Sequence, residues 1–152
     1  MDIRSKWLIL LIAASPLVEL RGAIPIGIAK GFNVWQVFGL ALLGNTLPIL
    51  PLLFFLKWAQ KKLEAVKGIG KILRWWFDRV ERKSKVVEKY GFWGLVLFVS
   101  IPLPGTGVWS GSVAATLLEF KTAKAFFAIF IGMAIAACLV TLASLGVFSF
   151  IV

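Results

Sequence analysis

Glu19 and Arg21 are the residues of this chain best suited to chemistry. They stand in Ser15-Pro16-Leu17-Val18-Glu19-Leu20-Arg21-Gly22-Ala23-Ile24-Pro25-Ile26-Gly27, a run of helix breakers inside a stretch otherwise apolar enough for a bilayer. On insertion scales a charge at mid-membrane costs about 2.5–3.5 kcal/mol, so such residues usually mark an ion or substrate path. Desolvation and a neighbouring guanidinium pull the proton affinity of a carboxyl in opposite directions. Its protonation can then follow conformation, as proton-coupled transport requires. Two residues apart on a regular helix, the pair would point about 200° apart; on extended chain they would share a face. Gly22 and Pro25 favour local unwinding. Failing a direct pair, partners are expected at Asn45, Thr106, Ser110 or carbonyls freed by proline. The competing reading is a structural pair that clamps the fold or snorkels to an interface.

A second breaker run, Pro102-Leu103-Pro104-Gly105-Thr106-Gly107-Val108-Trp109-Ser110-Gly111, lies in the other half of the chain. Its Pro104-Gly105-Thr106-Gly107 segment could present backbone N–H groups to an anion at the start of a helix. No Gly-Lys-Ser/Thr follows, so it is not a phosphate loop. A hairpin tip needs the same small residues. Trp109 could stack on a cationic or aromatic ligand, or simply pack. The expected pathway therefore joins Glu19, Arg21, Pro25 and Asn45 to Pro102, Pro104, Gly105, Thr106, Gly107, Trp109 and Ser110, the two runs forming facing walls. Catalysis has little support. Ser15, Ser100, Ser110 and Ser112 have no histidine to activate them, because the chain has none, and its only aspartates are Asp2 and Asp78. No enzyme, cofactor or metal is expected. Cys138 stands alone in an apolar run.

The elements that must hold these residues are membrane elements. At 60% hydrophobic and 16% charged, the 152 residues are too apolar for an ordinary soluble domain. Of the net charge of +10, residues 57–89 carry +7, with eleven Lys/Arg against four Asp/Glu. A basic block between apolar segments is what a cytoplasmic loop carries, and it argues against a nucleic-acid partner. Within it Leu63, Val66, Gly70, Leu73, Phe77 and Val80 recur every three or four residues, which predicts a basic amphipathic helix on the cytoplasmic leaflet, held by anionic lipid. The N-terminus lacks a cleavage site and is expected to be retained.

Trp7 to Val18 and Phe92 to Ile101 are arms of about half a bilayer, each leading into a breaker run. After each run come a returning arm, a polar turn (Lys30 to Asn33; Glu119 to Lys124) and a full span, Val34 to Leu56 or Ala125 to Val152. Sliding the chain by 88 residues lays Pro16 on Pro104, Phe32 on Phe120, Phe38 on Phe126 and Gly44 on Gly132. This predicts one membrane domain over 1–152, with repeats at about 7–56 and 90–152 joined by the 57–89 linker. Such paired broken segments point to a midplane binding site. Charge leaves two topologies open. Re-entrant hairpins in inverted repeat leave Arg4 and Lys6 outside; four full crossings leave Lys121 and Lys124 outside.

Glu19-Leu20-Arg21-Gly22-Ala23-Ile24-Pro25, Gly44-Asn45 and the Pro102 to Gly111 run resemble the small multi-drug export protein family, itself distantly similar to DedA (VTT-domain) membrane proteins. That resemblance covers roughly residues 10–150. It implies two re-entrant hairpins, each packed on a membrane helix, with Glu19 in the place of an acidic residue of the first DedA hairpin. The arginines of the second DedA hairpin have no counterpart around Pro102 and Pro104. The expected function is a multi-pass cell-membrane transporter, proton-coupled, exporting small organic molecules or ions, as a homodimer or larger assembly. The alternative is a lipid scramblase or carrier-lipid flippase.

Overall fold

The computed structural model describes residues 2–62 and 69–151, and among these it holds helices and their connections with no strand. The expected all-α class holds. The chain forms two compact units, Met1–Pro48 with Met133–Val152, and Ile49–Gly132.

In the first unit α1 (Ile3–Ala14) starts where the Asp2 carboxylate accepts from the Ser5 amide at 3.1 Å, a cap that also holds the Asp2 carboxyl below its usual range. It ends where the Ser15 hydroxyl donates back to the Ile12 carbonyl at 2.8 Å, just before Pro16. α2 (Glu19–Ala29) returns alongside it. With 12 and 11 residues, these helices reach only about 18 and 16 Å, half a bilayer core each. Gly31, at φ 74°, closes α2: the Phe32 amide donates to the Gly27 carbonyl and the Gly31 amide to that of Ile28. The Asn33 side chain then caps α3 (Val34–Thr46), accepting from the Trp35 and Gln36 amides. So short a turn makes α2 and α3 antiparallel neighbours. A Cβ on Gly27 would lie 2.6 Å from Val37 Cγ1, and one on Gly44 would strike the Leu10 carbonyl, so α3 packs closely on both α2 and α1.

Pro48 separates α3 from α4 (Ile49–Lys62), yet Val34–Lys62 as a whole is 29 residues and apolar enough to cross a membrane. Pro48 falls between the two helices, and Pro51 sits in the first turn of α4. In the second unit α4 packs on α7 (Val108–Leu117), and α7 also touches α5 (Ile69–Lys83) and α6 (Lys85–Ser100). α6 is two short helices: Gly91, at φ 57° and ψ −126°, reverses the chain, so that Gly94 lies against Val86 and Val87. α8 (Thr122–Ile151) is the second helix long and apolar enough to cross, over Thr122–Val147.

α5 is amphipathic as its sequence predicts, although Leu63 and Val66 lie outside the described residues. Its apolar face is occupied by protein: Phe77 and Val80 are buried against neighbours in this unit. Lys71, Ile72, Arg74, Trp75 and Arg79 remain exposed, with the Arg79 guanidinium 5.6 Å from the Trp75 ring.

The 88-residue offset reappears in the packing. It carries α2 onto 107–117 and the start of α3 onto Thr122, the start of α8. The hydrogen bonds closing α2 recur at the same shift, Phe120 to Ala115 and Glu119 to Thr116, with Glu119 at φ 54° where the first copy has Gly31. Shifting Gly27 and Val37 gives Ala115 and Ala125; one helical turn further in each helix lie Gly111 and Ile129, 3.7 Å apart measured from a Cβ built on the glycine.

Candidate functional site

The charged breaker run lies in the first unit, and its backbone departs from the helix at the carboxylate itself. Glu19 takes φ 54°, a left-handed conformation uncommon outside glycine, as the first residue of α2. Its amide still donates to the Ser15 carbonyl at 3.2 Å, so the conformation is fixed by a hydrogen-bonded turn. This break removes the regular-helix geometry that would set Glu19 and Arg21 on opposite sides. Glu19 is 7% exposed and Arg21 half-buried.

Asn45 joins them by register. From the Gly27–Val37 contact, eight residues back along α2 and eight forward along α3 are each about 12 Å, which brings Glu19 and Asn45 to one depth. Ala23 and Leu20 on α2 and Ala41 on α3 are buried at the levels between, while Gly44 lies against Leu10 of α1. Asn45 is 1% exposed and its Oδ1 has no hydrogen-bond partner. Pro25 stays inside α2, where it withholds the N–H that would reach the Arg21 carbonyl; Pro48 does the same for Gly44. The first unit therefore places a carboxylate, a guanidinium and a buried amide toward one end of the α1–α2 hairpin.

The second run folds differently. Leu103-Pro104-Gly105-Thr106 is a tight turn with the Thr106 amide on the Leu103 carbonyl at 3.3 Å and Gly105 at φ 81°, the pattern that Pro-Gly favours. The Thr106 hydroxyl bonds the Ile101 and Leu103 carbonyls at 2.8 and 2.9 Å. Those of Ser112 and Thr116 turn back onto carbonyls of α7. Ser110 is buried, and Trp109 rests on Trp76 of α5 with ring centres 6.4 Å apart. Pro102, Pro104 and Gly105 are exposed, whereas Thr106 and Gly107 are buried.

Sequence reasoning did not foresee Lys83, whose ammonium donates to the Pro104 carbonyl at 3.3 Å. Its ammonium is otherwise exposed. Lys57 was likewise unforeseen; it donates to the Phe120 carbonyl at 2.8 Å and the Thr122 hydroxyl at 2.9 Å. Both contacts join residues far apart in sequence, and no local pattern announces them. Among the described residues no cluster of His, Cys, Asp or Glu could hold a metal ion.

The family model described as "Putative small multi-drug export protein" matches residues 19–139, most of the chain, beginning at Glu19 itself. The chain belongs to this family. Membership of an export family and two apolar helices of crossing length together point to a membrane protein. No curated protein and no solved structure matches this family member.

Proposed function

We propose that this chain is a proton-coupled exporter of small organic molecules or ions, built from two re-entrant hairpins in inverted repeat. Glu19 is its titrating group, and Arg21 the counter-charge. The observation that carries this reading is a buried carboxylate at a left-handed break, level with the buried Asn45. On the 29-residue Val34–Lys62 helix, Asn45 stands near the middle, so Glu19 would lie at about half the membrane depth. Backbone broken at that depth is tolerated only where protein or water shelters it.

The half-length α1 and α2 support a hairpin over a crossing. So do the hydrogen bonds of Lys57: a second broken segment that crossed fully would leave Phe120 about 30 Å away, on the far side of the hydrocarbon. Lys57, Lys61, Lys62, Lys121 and Lys124 would then share the cytoplasmic side with the 57–89 linker. The exposed Lys71, Arg74, Trp75 and Arg79 would meet anionic lipid there.

Purified protein in liposomes, given an outward dye gradient from a panel of cationic and neutral fluorescent dyes, should drive proton movement read by an internal pH indicator. Glu19→Gln should abolish it. Undiminished proton movement in that variant would remove the assignment. Movement of labelled lipid with no pH gradient would favour the flippase reading instead.

A further inference from the structure

Asn45 does nothing for the fold that an apolar residue could not do better. Its Oδ1 is shut away from water and unpartnered, and a buried acceptor left bare works against the folded state. The neighbouring hydroxyls are spent: Thr46 donates to the Leu42 carbonyl at 2.7 Å and Ser15 to that of Ile12 at 2.8 Å. The shared register of α2 and α3 puts one group able to lose and gain a donor at its depth, the Glu19 carboxyl. An ionised carboxylate only accepts; a protonated one carries an O–H.

We propose that Asn45 is the positioning residue for the coupled proton, its carbonyl oxygen receiving the O–H of Glu19 when that carboxyl is protonated. This rests on the proton-coupled reading of Glu19 and adds that the pair holds the proton. The amide is suited to both states, since it accepts from the acid, and its N–H can turn to the carboxylate. Among the described residues of this unit the other charged groups are few. Arg21 is the charged group on the same helix beside Glu19. On α1 the charged residues are Arg4 and Lys6, in its first turns at the far end of the hairpin. Neither α3 nor α8 beyond Met133 carries a charge, and Cys138 is exposed.

The test uses the full chain in liposomes and in detergent. Without its acceptor the neutral form of Glu19 loses support, so Asn45→Leu should need about tenfold more acid to reach half-maximal proton-coupled flux, the worth of one buried hydrogen bond. Glu19→Gln supplies a permanent N–H donor, and should raise the thermal midpoint when Asn45 is present but not in the Asn45→Leu background. Asn45→Ala serves the same comparisons should leucine prevent folding. An unshifted pH profile, a shift toward less acid, or additive effects of the two substitutions would overturn the pairing. Proton-coupled flux that survives Glu19→Gln would instead overturn the transport reading itself.

Discussion

Glu19 and Glu119 share a φ of 54°, and they show how one backbone conformation serves two purposes. A non-glycine residue in the left-handed region costs roughly 1–2 kcal/mol. At Glu119 the conformation closes α7 as Gly31 closes α2, and the side chain is exposed, so its chemistry is incidental. Glu119→Gly should therefore stabilise the protein by about 1 kcal/mol and leave transport intact. Glu19 is buried, and its strain is kept where a carboxylate sits at the hairpin end. Strain retained at a buried polar residue points to function. Glu19→Gly should relieve the same backbone cost and still abolish proton-coupled flux. Thermal midpoints and liposome flux for the two variants check both halves; equal transport loss at Glu119 would remove the distinction.

At the level of the helices, glycine marks where backbones must touch. Gly44 lets α3 meet the Leu10 carbonyl of α1, and a Cβ on Gly132 would lie 2.6 Å from the Val96 carbonyl of α6. Main chain cannot move aside as a flexible side chain can, so Gly44→Ala and Gly132→Ala should each lower stability by about 1–3 kcal/mol. Gly39 has open space where a Cβ would go, and Gly39→Ala should stabilise by about 0.5–1 kcal/mol instead. Thermal midpoints in detergent separate the three. The Gly44 and Gly132 correspondence was legible in the sequence, as were the half-length arms and the Pro104-Gly105 turn, because Gly and Pro act locally. The basic helix was legible too, yet its cover was not: periodicity reveals an apolar face without saying whether lipid or α7 takes it. Lys57 and Lys83 were hidden for a related reason. Their partners are carbonyls, which every residue has, so nothing in the sequence singles out Phe120 or Pro104.

At the scale of the whole chain, the offset of 88 residues links charge to sidedness. The first polar turn, at Lys30 to Asn33, precedes a helix of crossing length that ends at Lys62. The second polar turn, at Glu119 to Lys124, is tied by hydrogen bonds to Lys57, near that far end. The same local motif, a helix closed by a left-handed residue and a phenylalanine, thus occurs once in each unit. The proposed inversion of the repeats requires the two turns to lie on opposite sides of the membrane, with the dense positive charge of the Lys57 end on the cytoplasmic side. Single cysteines at Lys30 and Ala123, both exposed, in a Cys138→Ala background, should therefore react with a membrane-impermeant maleimide from opposite faces of sealed vesicles. In right-side-out vesicles the Lys30→Cys site should label, and Ala123→Cys only after permeabilisation. Labelling of both from one face would mean that the broken segments cross, and a carboxylate sheltered at a hairpin end would no longer explain how Glu19 is kept within the membrane.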